Sequence, residues 1–424
     1  MQVRPAGDRA VLIELGDVTA AELHAVSEEW KGRGVVVVGS HSLLVVTGGQ
    51  LPVTAATGNR QPVTHDIPVV FETDPREVTL TARYLGFRAG FAYLEGWPSP
   101  MPRLATSRPV ARGSFAVAGN MAGFYPIDTP GGWNVLGWTN ATLWDPNREP
   151  PNLIAQGDVV HVVPVSSLPA AAPIAAWQPE GEIVAEVISP GQLTRIVGRR
   201  DWSRVEHGLA PGGPFDEAAA AEANRAVGNP DDAALLECVL VAPALRLTGS
   251  RRVAMWDGGV RQLVDGRLKS LRGYIAIEGG LEIPKYAEEA VRVTRGMQLT
   301  RAAARPGGST TLATTMSDRL RIGIVPGPHE PSISEIECEV TPQIDRVGIR
   351  LRPLRPIGID APRDLASCGM QFGTVQLHPD GSLVVMGPDH PVTGGYLQPM
   401  TVLSGELWKL AQLAPGERVR FYSP

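Results

Sequence analysis

Short runs of apolar residues, separated by glycine and proline, occur along most of the chain and predict strands rather than long helices. Residues 11–15, 35–38 and 43–46 each have the length of one strand, and the second run is apolar enough to be buried. From about residue 67 onward such runs dominate. The pattern therefore indicates a mainly β protein.

Two segments carry helical signals. Thr19 is followed three residues later by Glu22, which is the spacing of a capping box, so a helix is predicted to run to about Lys31. Residues 217–227 are rich in alanine and have high helix propensity. The first helix, with the strands around it, predicts a small α+β domain over residues 1–62 that ends in a polar linker.

Glycine-rich elements recur in the same order in two parts of the chain. The matching pairs are 113–119 with 381–387, 129–133 with 392–396, and 155–160 with 414–419, and a fainter third ending lies at 294–299. Repeated β units of this kind can remove exposed sheet edges by closing into barrels. The repeats predict two such barrels, or three if the faint copy counts; chance similarity between hairpins is the alternative.

Composition excludes several classes of protein. The 424 residues suggest about three domains, and 47 glycines and 38 prolines among 43% hydrophobic residues exclude a helix bundle and a disordered chain. The net charge of −5 comes without a basic stripe, so we expect no nucleic-acid partner. No apolar run reaches about 20 residues, so we expect no membrane span.

The cysteines and histidines argue against a metal site. Cys238, Cys338 and Cys368 are far apart and form no CxxC pair, which fits a reducing cytoplasm and no disulfide framework. The eight histidines form no HxH or HExxH pattern. The first residues lack the apolar core of a signal peptide, so a cytoplasmic location is expected.

Two segments of the first half contain candidate ligand-binding residues. In the loop over residues 86–94, glycines next to aromatic residues let backbone N–H groups approach a ligand, although the same rings would also pack in an ordinary barrel turn. Arg103 and Arg108 are five residues apart and could hold a carboxylate or phosphate; ordinary surface arginines are the alternative.

Further candidates lie beside paired glycines and in one strand. Asp128 and Asp389 precede Gly-Gly-aromatic segments, where an aspartate could orient a water molecule or simply form an Asx turn. Asp345 and Arg346 lie in a strand-like run and could bind a ligand or pair with each other. The chain has no GxSxG elbow, Walker A loop or recognisable cysteine nucleophile.

In order along the chain, these motifs resemble two protein families. The first half resembles allophanate hydrolase subunit 1, also called the 5-oxoprolinase B subunit or the Kip-type kinase inhibitor, at residues 86–94, 102–108, 113–119, 125–126, 130–133 and 157–158. From about residue 183 the chain resembles subunit 2, or the 5-oxoprolinase C subunit, at residues 208–216, 223–224, 227–229, 237, 279–280, 325–328, 345–351, 373–376, 393–396 and 412–421.

This resemblance implies a fusion of two subunits into one chain of tandem cyclophilin-like β-barrels. The expected domains are the α+β domain, a subunit 1 barrel at 63–170, a linker at 171–182, and two subunit 2 barrels at 183–318 and 319–424. It further implies an ATP-dependent hydrolase that opens the lactam of 5-oxoproline, or a related amide, together with a separate A-type subunit. Positive groups would have to stabilise the phosphoryl charge that activates the amide oxygen.

The resemblance also implies the site residues. The expected catalytic residues are Arg103, Arg108, Asp345 and Arg346. The residues expected to bind substrate or nucleotide are Phe87, Gly90, Phe91, Tyr93, Tyr125, Gly131, Gly132, Trp133, Asp216, Asn224, Gly394, Gly395 and Tyr396.

Two other functions stay open. The same pair of modules forms the carboxyltransferase domain of urea carboxylases, which would require biotin, but no carrier Met-Lys-Met is present. The chain also departs from the family pattern, for example at residues 137–139, where an expected arginine is missing. Such departures favour a catalytically weakened, Kip-type regulator of a histidine kinase. Assembly into a homo-oligomer is also left open.

Overall fold

A computed structural model describes residues 1–47, 61–239, 241–255, 272–287, 290–303, 319–359 and 365–424. Most of the predicted linker after the first domain, and the predicted domain end at residue 318, lie outside these residues. Among the helices of the described part, none has the length and apolar character that a membrane span requires.

The N-terminal domain is a four-stranded antiparallel sheet covered by one helix. Its elements are β1 (Gln2–Pro5), β2 (Ala10–Glu14), α1 (Ala20–Lys31), β3 (Val35–Val38) and β4 (Ser42–Val46), and the strand order is β1-β2-β4-β3. The capping box is confirmed: Thr19 Oγ1 accepts a hydrogen bond from the Glu22 amide, and the Glu22 carboxylate accepts one from the Thr19 amide.

Seven strands close the first barrel. They are β5 (Thr64–Phe71), β6 (Val78–Leu85), β7 (Ala92–Glu95), β9 (Ser114–Ala118), β10 (Met121–Phe124), β12 (Asn134–Trp138) and β13 (Val159–Pro164), in the order β10-β7-β6-β13-β5-β12-β9. β13 runs parallel to β5, and the other neighbours are antiparallel. Two further strands, β8 (Arg108–Val110) and β11 (Thr129–Gly131), form a separate two-stranded ribbon, the first ribbon.

Residues 165–182, which include the predicted linker at 171–182, contain no helix or strand. The middle unit that follows has a three-stranded sheet and a five-stranded sheet on either side of one apolar core. The three-stranded sheet contains β14 (Ile183–Ser189), β17 (Ala244–Leu247) and β21 (Gln298–Thr300). The five-stranded sheet contains β15 (Arg195–Val197), β16 (Leu235–Val239), β18 (Val253–Met255), β19 (Arg272–Ile277) and β20 (Val291–Arg292).

A 3-10 helix (Trp202–His207) and α2 (Glu217–Ala226) connect β15 to β16. The predicted second helix is therefore confirmed almost to the residue. The third barrel expected here differs from what is observed, because the described strands of this unit form two open sheets rather than a closed ring.

The second barrel also closes through seven strands. They are β22 (Arg321–Pro326), β23 (Glu335–Ile344), β24 (Gly348–Pro353), β26 (Thr374–Leu377), β27 (Leu383–Met386), β29 (Leu397–Val402) and β30 (Arg418–Tyr422), in the order β22-β29-β26-β27-β24-β23-β30. A second ribbon pairs β25 (Cys368–Gly369) with β28 (Thr393–Gly394). A 3-10 helix (Ser404–Glu406) leads into the short α3 (Leu407–Leu410). The tandem barrels expected from the repeats are thus confirmed, one after the N-terminal domain and one at the end of the chain.

The two barrels have the same topology. Each contains one parallel pair, β5 with β13 and β22 with β30, and the remaining strands follow in the same circular order. This order matches β10 with β27 and β9 with β26, so the predicted match of 113–119 with 381–387 is wrong by one strand. The predicted match of 129–133 with 392–396 is correct, because these segments contain the corresponding strands β11 and β28.

The N-terminal domain bridges the two barrels. The amide of Ala20, at the start of α1, donates a 2.7 Å hydrogen bond to Glu95 Oε1 of the first barrel. On the other side, Val37 and Leu44 of the N-terminal sheet share an apolar cluster with Cys368 and Val392 beside the second ribbon. These contacts hold the barrels on either side of a common opening.

Candidate active site

A cleft of about 1010 Å³ lies between the two barrels, and both ribbons contribute to it. The first barrel contributes the loop after β6, the segment before β8 and the turn after β11. The second barrel contributes the turn between β23 and β24, the turn after β26 and the turn after β28. The loops after β6 and β23 and the turns after β11 and β28 correspond in the shared topology, so these parts of the two barrels face the same space.

Twelve of the seventeen predicted site residues line this cleft. They are Phe87, Phe91, Tyr93, Arg103, Tyr125, Gly131, Gly132, Trp133, Asp345, Gly394, Gly395 and Tyr396. They come from segments up to about 300 residues apart in sequence, and the closed barrels bring them together.

The wall formed by the first barrel is aromatic. Phe91 makes edge-to-face contacts with Tyr93, Tyr125 and Trp133, at ring-centroid distances of 5.0, 5.3 and 5.5 Å. These four rings are buried, so packing, which was the alternative interpretation of the loop, accounts for much of their role. Position 131 requires glycine for a steric reason, because a Cβ there would lie 2.2 Å from the Tyr125 hydroxyl oxygen.

Arg103 is an exposed cation at this wall. Among the residues that the structure describes, none forms a hydrogen bond or an ion pair with its guanidinium group. Its charge acts on the phenols of Tyr84, Tyr93 and Tyr125. Burial raises the pKa of Tyr93 to about 12 against the opposing charge of Arg103, so these phenols stay neutral and the arginine charge is not compensated.

Two tyrosines support the wall from behind. The rings of Tyr84 and Tyr93 are stacked with centroids 4.2 Å apart, and both hydroxyl groups interact with the side chain of Ser367 from the second barrel. The first barrel's aromatic wall is therefore tied to the opposite barrel. Sequence reasoning missed Tyr84 and Ser367, because neither lies in a glycine-rich motif.

On the second barrel, Asp345 forms an Asx turn at the edge of the cleft. Its Oδ1 accepts hydrogen bonds from the amides of Val347 (2.8 Å) and Gly348 (3.0 Å). The carboxylate is exposed and lines the cleft. It does not pair with the side chain of Arg346, which was one of the predicted alternatives.

Arg346 lies outside the cleft lining, in a buried ion-pair network between the middle unit and the second barrel. Its guanidinium bonds to Glu237 and to Asp389, and it also donates to the carbonyl oxygen of Gly213 at 2.7 Å. Burial opposes ionisation of Asp389, but Arg346 and Arg204 outweigh it and lower the pKa of that carboxyl group. The predicted catalytic position of Arg346 is therefore corrected to a structural one.

Asp216 and Asn224 also lie away from the cleft, in and beside α2. Asp216 Oδ1 accepts a 3.0 Å hydrogen bond from the Ala219 amide and so caps the helix. Asn224 Nδ2 donates a 2.8 Å hydrogen bond to the carbonyl oxygen of Ala233. Both side chains are buried, and their hydrogen bonds hold the middle unit together instead of facing a ligand.

Gly90 and Arg108 are the remaining predicted residues outside the lining. Gly90 has φ +75°, and a Cβ there would lie 2.8 Å from Cβ of Trp144, so its role is steric. Arg108 is exposed at the start of β8. Its charge acts on Tyr125, which lines the cleft.

Several cleft residues were not predicted from the sequence. Arg350, Gln376 and His378 line the second barrel's side. His378 stacks on Tyr396 with ring centroids 4.1 Å apart and an interplanar angle of 24°. Gln376 and Arg350 belong to motifs that we recognised, at 373–376 and 345–351, whereas nothing in the local sequence marks His378. In the described part of the chain, no three His, Cys, Asp or Glu side chains converge to hold a metal ion.

Family models match most of the regions that form this cleft. The model for the carboxyltransferase domain, subdomain A and B, matches residues 207–313 and 262–423, which together are about half of the chain. The model for the carboxyltransferase domain, subdomain C and D, matches residues 76–154.

Three relatives each match part of the chain. The 5-oxoprolinase B subunit of Haemophilus influenzae is 35% identical over 116 residues, 25% of this chain and 54% of the relative. The 5-oxoprolinase C subunit of Escherichia coli is 25% identical over 281 residues, 56% of this chain and 90% of the relative. A putative urea carboxylase of Emericella nidulans is 27% identical over 301 residues, 56% of this chain and 24% of the relative.

The match to the B-subunit relatives is partial, since the chain spans between 35% and 54% of their length. Similarity to the B subunit and similarity to the C subunit nevertheless occur in one chain, which confirms the predicted fusion of the two families.

The fold itself is known from a solved structure. The crystal structure of TTHA0988 superimposes with a TM-score of 0.80 at 24% sequence identity and covers 98% of this chain and 99% of that one. At this identity the likeness concerns the fold alone. Together with the family models, it leads to one conclusion: the chain belongs to the carboxyltransferase-domain family, with subdomains C and D in its first half and A and B in its second.

Proposed function

We propose that this chain is the fused B and C component of an ATP-dependent 5-oxoprolinase, or of a related amide or lactam hydrolase. It would act with a separate A-type subunit, in the cytoplasm, where its three buried thiols stay reduced. Support comes from the relatives that are B and C subunits of 5-oxoprolinase and from the cleft between the two barrels.

The single observation that carries the proposal is the uncompensated charge of Arg103 at the wall of that cleft. An amide is a poor electrophile, and transfer of a phosphoryl group from ATP to its oxygen would make the carbonyl carbon more reactive toward water. A guanidinium without a protein partner is suited to an oxyanion or phosphate, which it can hold with two parallel hydrogen bonds. Neighbouring neutral phenols leave that charge available.

The rest of the wall suits the same chemistry. Phe91, Tyr125 and Trp133 exclude water from one side of the cleft, which strengthens electrostatic interactions with Arg103. The volume of about 1010 Å³ leaves room for a nucleotide beside a small amide. The donor set of the cleft therefore fits ATP.

The test is ATP hydrolysis by the full chain mixed with an A-type subunit. We expect 5-oxoproline to stimulate phosphate release, and Arg103→Ala to reduce that stimulation about 100-fold, because one preorganised charge-stabilising group is lost. Arg103→Lys keeps the charge without the paired donors and should retain part of the activity.

Arg418→Ala is the matched control. This arginine is also exposed but does not line the cleft, so the variant should match the unmodified chain. If neither 5-oxoproline nor another small amide stimulates phosphate release by the unmodified chain, the proposal is wrong.

Carboxyl transfer is the second candidate, and the match to a putative urea carboxylase favours it. In this case the cleft would accept the biotin of a separate carrier protein, and Arg103 would bind the carboxylate being transferred. The distinguishing measurement mixes the chain with a carboxylated biotin carrier and a small amide. If the biotin carrier loses its carboxyl group only when the amide is present, carboxyl transfer is supported.

A further inference from the structure

The two Gly-Gly turns facing the cleft have diverged in how they use their aromatic residue. In the first barrel, Trp133 follows the turn; it is buried and packs against Phe91 and Tyr93. In the second barrel, Tyr396 occupies the corresponding position, but it is 36% exposed and stacks on His378. One ring is thus part of a core, and the other presents a surface to the cleft.

The surface formed by Tyr396 and His378, here called the ring platform, is rigidly supported. His378 begins the turn between β26 and β27, where its amide donates to the carbonyl oxygen of Ser382 at 2.9 Å. Asp380 accepts bonds from the amide and hydroxyl of Ser382. Arg350 Nη1 donates to Ser382 Oγ at 2.6 Å and to Asp380 at 3.2 Å.

The platform also has a suitable charge state. Burial and the neighbouring Arg350 lower the pKa of His378, so the imidazole is neutral near pH 7. A neutral stacked pair attracts another flat ring through dispersion and removal of apolar surface from water. The cation beside it, Arg350, already bonds to Ser382 and Asp380, whereas no described residue forms such a bond with Arg103 on the other barrel.

We propose that the ring platform binds the base of a nucleoside triphosphate whose phosphate groups reach toward Arg103. The inference rests on the proposed function and assigns the nucleotide to this chain rather than to the A-type subunit. The base would stack on aromatic rings of the second barrel, and the phosphate groups would interact with a charge on the first barrel. A five-membered lactam alone would leave most of the cleft empty.

Calorimetric titration of the full chain with ATP and with inorganic triphosphate distinguishes binding of the base from binding of the phosphate groups. We expect Tyr396→Ala to weaken ATP binding roughly 10- to 100-fold, the range for loss of one base-stacking ring. Binding of inorganic triphosphate should be unchanged. Tyr396→Phe keeps the ring and should retain ATP affinity, and Arg103→Ala should weaken both ligands.

Three results would overturn the inference. The first is that ATP does not bind the full chain; the second is that Tyr396→Ala weakens triphosphate as much as ATP. The third is that Tyr396→Ala weakens binding of 5-oxoproline and leaves ATP unaffected, which would make the platform a lactam site. His378→Ala provides a second variant and should act in the same direction as Tyr396→Ala.

Failure of this inference is distinguishable from failure of the proposed function. Phosphate release stimulated by 5-oxoproline, with ATP affinity insensitive to Tyr396, would reject only the platform. ATP affinity that depends on Tyr396, without stimulation by any small amide, would support the platform and reject the hydrolase.

Discussion

Arg346 shows how a charged residue of a family motif can serve the fold instead of the reaction. It is only 9% exposed, and it contacts Glu237 of the middle unit and Asp389 of the second barrel. Its neighbour Asp345 lines the cleft. The two adjacent side chains have different surroundings, so one motif supplies both a cleft residue and a buried tie.

Replacing Arg346 by Met should destabilise the protein strongly. Two carboxylates would be left buried without their partner, which costs about 3–5 kcal/mol. The measurement is the free energy of unfolding in urea. Arg352→Met is the control, since Arg352 pairs with Glu339 at the surface and such pairs contribute about 0–1 kcal/mol. Equal effects of the two variants would contradict a structural role for Arg346.

At the scale of elements, local sequence signals worked best for the helices. The capping box at Thr19 and Glu22 predicted the start of α1, and alanine content predicted α2. Strand β1 (Gln2–Pro5) was not predicted, because its mostly exposed residues carry no apolar run. The predicted match of 113–119 with 381–387 was one strand out of register. Hairpins flanked by glycine look alike in sequence, and only the pairing of their strands with neighbouring strands distinguishes them.

The cap of α2 gives a prediction at this scale. Asp216→Ala removes the bond to the Ala219 amide and should lower stability by about 1 kcal/mol. Asp216→Asn keeps a good capping side chain and should be close to the unmodified protein. Thermal unfolding gives the comparison. A loss of ATP or 5-oxoproline binding in Asp216→Asn, with stability retained, would return this residue to the ligand site.

At the scale of the whole molecule, the buried histidine His390 makes stability depend on pH. Burial lowers its pKa to about 4, whereas the unfolded chain has a pKa of about 6.5. Between these values the unfolded state binds the extra proton. The stabilisation is therefore complete above about pH 6.5 and is lost as the pH falls toward 4, at about 1.4 kcal/mol per pH unit.

His390→Phe should reduce the slope of the free energy of unfolding against pH by the contribution of about one proton. Part of the slope should remain, because burial also lowers the pKa of His207 to about 4. Urea unfolding at about pH 5 and pH 7 measures the effect. His161→Gln, a change at an exposed histidine, should retain the full dependence. A slope unchanged in His390→Phe would show that His390 does not titrate in this way.

The sequence by itself determined the mainly β class, the first domain, both helices and the presence of repeated barrels. These features depend on local periodicity, capping and turn chemistry, which nearby residues specify. The resemblance of its motifs to known families pointed to twelve of the residues that line the cleft. Only the tertiary structure decided that Arg103 has no partner among the described residues, that Arg346, Asp216 and Asn224 are buried and bonded, and that His378 supports Tyr396. Those facts depend on which distant segments the closed barrels bring into contact, and no local pattern encodes that.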